Sequence, residues 1–140
     1  DSARPLIEVD SIERCCATVR ADASLAGAIC ANRSVDTLKL VEGNKIVATP
    51  NREFYWVAQT PQVFYAKPLM AAYKAALWEG FAGTDDASLV ERHGGTVECV
   101  ECPRDNIKVT VPEDLAVATA TMEQRLVEEG CGRRYGRDPQ

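Results

Sequence analysis

The stretch from Thr84 to Cys102, TDDASLVERHGGTVECVEC, decides the fold, because it reads as a short capped helix handing directly on to a strand. Thr84 is placed to cap the helix, and Asp85 and Asp86 fall in its first turn, where the helix dipole favours negative charge. Gly94 and Gly95 end it. The residues from Val97 to Cys102 then fit a strand pattern. A helix feeding a strand through a short break is a repeating step of α/β layers, so the rest of the chain can be read against that step.

Working upstream, a helix starts near Pro68, with proline in its favoured first-turn position. It carries Leu69, Met70, Tyr73 and Leu77 inward and stops at Gly80. Leu25 to Ala31 is a short apolar run of strand length, and β-like segments follow around Leu38 and Ile46. Glu42-Gly-Asn-Lys45 supplies a turn between them. A hairpin from about Asp36 to Ala48 mixes polar and apolar residues and is expected to project from the body as an arm, with limits at about residues 33–57. At the start of the chain Asp10 is a candidate cap for a helix whose Ile12, Cys15, Cys16 and Val19 share one face.

Working downstream, the last helix opens at Pro112 with Glu113 and Asp114 behind it. It buries Leu115, Ala118, Met122 and Leu126 and stops at Gly130. Residues 1–129 are expected to form one domain, and residues 130–140 a disordered tail. The alternation implies an α/β layer structure with a mostly parallel, incomplete sheet flanked by helices.

With 140 residues, 46% hydrophobic and 26% charged, the chain is long and apolar enough to fold around one core. A net charge of -5 with no run of Lys or Arg leaves no nucleic-acid footprint, so DNA and RNA are not expected partners. An anionic ligand must be held by a few placed cations, since the overall field repels it. No apolar run has membrane-spanning length, and Asp1-Ser-Ala-Arg-Pro5 lacks the regions of a signal peptide, so no membrane association and a cytoplasmic location are expected. Six cysteines and one histidine contain a single C-x-x-C, Cys99 and Cys102, which falls on strand. Reduced, packed thiols and no cysteine-held metal are expected.

Four segments place charged and turn-forming residues between elements, where α/β sheets bind ligands: Asp1 to Pro5, Gln59 to Gln62, Thr84 to Ser88 and Asp105 to Thr110. Each alone has a plain structural explanation. In order, however, the chain carries DSARP at 1–5, VDTLK at 35–39, QTPQVF at 59–64, TDDASLVE at 84–91 and DNIKVTVPEDL at 105–115. With these five motifs it resembles the carboxy-terminal part of the 2-C-methyl-D-erythritol 4-phosphate cytidylyltransferases, over residues 1 to about 128.

The resemblance implies a Rossmann-like nucleotidyltransferase fold and transfer of a cytidylyl group from CTP to methylerythritol phosphate, releasing pyrophosphate, in non-mevalonate isoprenoid synthesis. Asp1 matches the family's acidic residue near the reacting phosphates and Mg²⁺. Arg4 and Thr37 match contacts to the sugar phosphate, and Thr60 and Thr84 match further substrate contacts. Lys108 matches the lysine that binds and neutralises the phosphate under attack, and Arg52 an arginine reaching from the arm into a partner subunit's site, so a homodimer is implied. Asp85 and Asp86, though adjacent carboxylates, are read as helix-dipole residues.

The family's strand, Gly-rich loop with an arginine and downstream lysine, which cradle the CTP triphosphate, are not among these 140 residues. The chain by itself is therefore expected to be inactive. Val111 stands where the family usually has a capping threonine, and Asn51 where an aspartate is common. A pentitol (ribitol) phosphate cytidylyltransferase shares the QTPQ and NIK motifs and is the alternative enzyme, although Thr84-Asp-Asp-Ala87 and Val35-Asp-Thr-Leu-Lys39 fit the methylerythritol branch better. A non-catalytic dimerisation or sugar-phosphate-binding module is the alternative class.

Overall fold

The computed structural model describes residues 3–135, and side chains through residue 128. The chain divides into two compact units, Glu8–Pro103 and the combination of Asp1–Ile7 with Arg104–Gln140.

The larger unit is built on strand β1 (Leu25–Arg33), whose first eight residues are all buried. That run of small and apolar side chains suits a strand covered on both faces. β1 pairs antiparallel with β4 (Trp56–Phe64), bringing Gly27 opposite Phe64 and Ala31 opposite Ala58, and parallel with β5 (Thr96–Glu101), bringing Ile29 opposite Cys99. The order is β4-β1-β5, so this α/β sheet is mixed. Its parallel component is the β1–β5 pair, reached through two helices, whereas β4 comes back beside β1 from the arm excursion and must run antiparallel. At the β1–β4 pair a side chain on Gly27 would meet the Phe64 ring at 2.1 Å and the Val63 carbonyl oxygen at 2.6 Å, so only glycine permits this approach.

Helix α1 (Val9–Ala21) begins after Glu8, and Asp10 lies in its first turn, so Asp10 is not the cap. Its buried residues are Ser11, Cys15 and Val19, spaced four apart; Ile12, about 100° around the helix from Ser11, is exposed. Cys15 and Val19 pack with Ala28, Cys30, Val100 and Cys102 in one core cluster.

Helix α2 (Ala66–Glu79) starts two residues before Pro68 and ends, as its sequence indicates, at Gly80, whose φ of 65° is left-handed. The inward face differs from expectation: Ala72 and Ala76 are buried, while Met70, Tyr73 and Leu77 are exposed, Leu77 at 80%. The cause is close packing against α3 (Asp86–Arg92), where Ala72 and Ala76 meet Leu89 and Val90 and leave no room for longer side chains. Helix α3 is capped by Asp85, not Thr84. Its carboxylate accepts from Ser88 N at 2.9 Å while the Asp85 N–H lies 3.3 Å from the Ser88 hydroxyl, a reciprocal capping box that leaves Thr84 outside the helix.

The arm is an antiparallel pair, β2 (Leu40–Glu42) and β3 (Lys45–Ala48), turning at Gly43 with φ 58°. All seven of its strand residues are exposed.

In the smaller unit α4 (Pro112–Tyr135) starts at Pro112 but continues past Gly130. One glycine inside a helix costs only about 1 kcal/mol against alanine, which does not by itself end it. Ala118 is buried on α4, whereas Leu115, Met122 and Leu126 are exposed, contrary to the four-residue face read from the sequence. Residues 136–140, the end of the expected tail, lie outside the described residues.

Candidate functional site

The residues singled out in the sequence are gathered in three local pairs, each fastened by its own hydrogen bonds. Asp1 lies outside the described residues.

The first pair, Arg4 and Lys108, belongs to the smaller unit. Segment 3–5 lies along segment 105–110: Val109 N–H donates to the Ala3 carbonyl at 2.7 Å, and Arg4 Nη1 donates to the Asn106 carbonyl at 2.5 Å. Asn106 is almost fully buried. From α4, Arg125 braces both segments, donating to the Leu6 carbonyl at 2.9 Å and pairing with Asp105 at 2.6 Å. Beyond, the Asp114 carboxylate accepts from Thr110 N, Thr110 Oγ1 and Val111 N, which holds it below the usual carboxylate range. A side chain from inside the first turn thus supplies the capping bonds that Val111 cannot. Lys108 rides on this braced strip with its own side chain exposed and in no ion pair among the described residues.

The second pair, Thr37 and Arg52, sits at the base of the arm. Arg52 opens a single 3-10 turn, Arg52–Phe54, capped by Asn51, whose side-chain oxygen accepts from Glu53 N at 3.1 Å. Asparagine caps as well as aspartate here. Arg52 Nη1 donates to the Val35 carbonyl, two residues before the exposed Thr37. Ser34 N–H donates to the Tyr55 carbonyl at 3.0 Å and Lys39 Nζ to Thr49 Oγ1 at 2.8 Å, so both legs of the arm are tied together.

The third pair, Thr60 and Thr84, is joined through Gln62. Its amide nitrogen donates to Asp85 Oδ2 at 2.8 Å, and its amide oxygen accepts from Ala87 N at 3.1 Å. A single side chain on β4 therefore fixes the start of α3, with Thr60 two residues before it and Thr84 just before Asp85. The Thr60–Pro61 peptide is cis. Burial pushes the Asp85 carboxyl up, but the Gln62 and Ser88 donors outweigh it and leave it below its ordinary value.

Beside Thr84, a cleft of about 400 Å³ is lined by Tyr73, Leu77, Phe81, Asp85 and Asp86, among others. Tyr73 donates to Asp86 at 2.5 Å, and that carboxylate pushes the phenol's pKa up. Two carboxylates and no cation among its lining residues make this cleft a poor seat for a phosphate. Among the described residues no group of three His, Cys, Asp or Glu is arranged to hold a metal ion, and no helix is long and apolar enough to cross a membrane.

Sequence reasoning missed Gln62 and Arg125 as bracing residues. Gln62 had a signal, since it shares a motif with Thr60. Arg125 had only the weak one of a cation among the apolar positions of α4.

The geometry has close counterparts. Residues 1–124 match the family model described as 2-C-methyl-D-erythritol 4-phosphate cytidylyltransferase. A protein of that name from Geobacter metallireducens is 44% identical over 126 residues, covering 90% of this chain and 53% of its own length. One from Bacillus licheniformis is 45% identical over 123 residues, covering 88% and 52%. Among solved structures, the 4-diphosphocytidyl-2C-methyl-D-erythritol synthase of Anaerococcus prevotii superposes with a TM-score of 0.79 at 31% identity, covering 88% of this chain and 56% of that one. The Thermus thermophilus cytidylyltransferase gives 0.76 at 31% identity, with 88% and 59% covered. The chain spans about half the length of the curated relatives it matches.

Proposed function

Since the chain belongs to the 2-C-methyl-D-erythritol 4-phosphate cytidylyltransferase family, we propose that it supplies the sugar-phosphate half of such an enzyme's site. The reaction is transfer of the cytidylyl group of CTP to the phosphate of methylerythritol phosphate, with release of pyrophosphate. The observation that carries this reading is the exposed cation Lys108 on a strip braced by Arg4, Asn106 and Arg125.

The chemistry asks for such a group. Two phosphates of like charge must approach for in-line attack, and a fixed cation lowers their repulsion without reorganising at the moment of reaction. Lys108 binds and neutralises the phosphate under attack. Arg4 and Thr37 contact the sugar phosphate, and Thr60 and Thr84 make further substrate contacts. Arg52 acts from the arm on the site of a second copy. Seven exposed strand residues, Val41, Ile46 and Val47 among them, on a hairpin too small to be stable alone support an arm that packs on a partner chain in a homodimer.

Asp1 would hold the Mg²⁺ that accompanies CTP in this reading. An ion of this kind commonly takes only one or two protein carboxylates. When bound, it offsets the charge of the reacting phosphates. A cytoplasmic setting fits the small charged substrates. The nucleotide cradle is supplied by the part of the family's length that this chain does not span, and the chain by itself is inactive.

The reading is tested by pyrophosphate release from CTP, Mg²⁺ and methylerythritol phosphate, with this chain mixed with the amino-terminal half of the Geobacter metallireducens relative. Lys108→Ala and Arg52→Ala should each lower turnover by about 100-fold or more, the scale of losing one transition-state charge contact. Full rate in either variant sinks the role given to that residue.

A further inference from the structure

Outside the candidate site, the most unusual chemistry of the molecule is a group of thiols under α1. Cys15, Cys30 and Cys102 come from α1, β1 and the residue after β5, and all three are buried in the same core cluster. Sγ of Cys15 and Sγ of Cys30 are 3.6 Å apart with no atom between them, and Cys30 Sγ also lies 4.0 Å from the Ser11 carbonyl. Cys102, whose side chain interacts with both, is fixed by its N–H, which donates to the Ala31 carbonyl at 3.1 Å. These cysteines are unbridged. Packing alone asks only for small apolar volume here, which alanine, valine or serine would also provide. Two sulfurs that face each other have a further reaction open to them.

We propose that Cys15 and Cys30 form an oxidation site that takes hydrogen peroxide and closes to a disulfide tying α1 to the central strand of the sheet. Cys15 is the attacking sulfur. Its thiolate displaces hydroxide from the peroxide, giving a sulfenic acid at Cys15. The Cys30 sulfur then attacks that sulfur, and the hydroxyl leaves as water. Two thiols and one peroxide thus become one disulfide and two waters, with the thiols oxidised and the peroxide reduced. The closure moves the sulfurs from 3.6 Å to about 2.05 Å, a shift of about 1.5 Å between the middle of α1 and β1. The assignment of roles agrees with the electrostatics. Hydrogen bonding from Cys30 and the Arg14 guanidinium outweigh burial and lower the Cys15 thiol's pKa, whereas the same contact and burial push Cys30 up.

Access is supplied by α1 itself. Its first turn has no side-chain cap bond, and the bonds holding it near β5 are surface ones, such as Arg14 to the Glu101 carbonyl at 2.8 Å. Local opening of such a helix admits a water-sized oxidant while the sheet stays formed.

The test treats the whole chain with hydrogen peroxide, blocks remaining thiols with iodoacetamide, and digests with trypsin, which puts Cys15 and Cys16 in residues 15–20 and Cys30 in residues 21–33. The expected result is a linked pair of these peptides, still formed in Cys16→Ser and Cys102→Ser, absent in Cys15→Ser, and reversed by dithiothreitol. The melting temperature of the oxidised chain should rise by roughly 5 °C or more. Linkage through Cys16, Cys99 or Cys102 in place of Cys15 or Cys30 overturns the proposal. So does oxidation to sulfinic acid without any linked pair, or full alkylation after peroxide treatment.

Discussion

Among single residues, Gln62 does most for the geometry of the candidate site, because one amide satisfies both Asp85 and the Ala87 N–H. Gln62→Ala leaves a half-buried carboxylate and a buried N–H with one partner fewer each. It should cost about 1–3 kcal/mol in urea denaturation with an unchanged slope. A cost below a few tenths of a kcal/mol would mean that water replaces both bonds. Asp85 also gives the chain an acid-sensitive element. Its folded carboxyl lies below the ordinary value, so the unfolded chain takes up a proton first. The stability it contributes is full above the unfolded value of about 3.9 and is lost as pH falls through the folded one. Asp85→Asn should flatten the acid limb of the stability profile, and an identical limb would show that this carboxylate does not titrate differently in the two states. At this scale the sequence was partly legible. Motif residues named the loops, but the partner of each was hidden, because Gln62 and Asp85 are 23 positions apart and only the folded sheet brings them together.

Elements were most legible where local chemistry is strict and least where packing chooses. Proline at 112 and glycine at 80 mark the start of α4 and the end of α2 correctly, since each fixes a backbone angle or removes a donor. The inward faces of α2 and α4 were not legible. Hydrophobic spacing pointed to Met70, Tyr73, Leu77, Leu115, Met122 and Leu126, which are exposed, whereas close approach selected alanines at 72 and 76 and kept Ala118 of the face read for α4. The same closeness governs the sheet. Gly27→Ala forces a methyl group into the Phe64 ring and the Val63 carbonyl and should destabilise by about 1–3 kcal/mol, read from the denaturation midpoint. The arm makes the opposite case, a locally encoded hairpin whose strand residues are all exposed. Replacing Val41 and Ile46 by serine should lower the dimer fraction in sedimentation while leaving the far-ultraviolet spectrum unchanged. An undiminished dimer would remove the arm from the interface.

At the scale of the molecule, the α/β architecture followed from the alternation of elements. The mixed sheet order did not, since strand direction depends on how the arm brings β4 back to β1. The dimer reading makes a prediction that no single chain can satisfy. If Arg52 acts across subunits and Lys108 within its own, co-assembling Arg52→Ala and Lys108→Ala chains, each supplied with the amino-terminal half of the Geobacter metallireducens relative, restores one intact site in each mixed dimer. Activity should recover to roughly a quarter of the wild-type level; no recovery would place both residues in the same subunit's site. The measurement that bears most directly on the whole account is pyrophosphate release from CTP, Mg²⁺ and methylerythritol phosphate by this chain alone and by this chain mixed with the amino-terminal half of the Geobacter metallireducens relative, both halves being soluble. The account predicts turnover in the mixture and none in the chain alone. Turnover by the chain alone, or none in a mixture whose halves demonstrably associate, would contradict it.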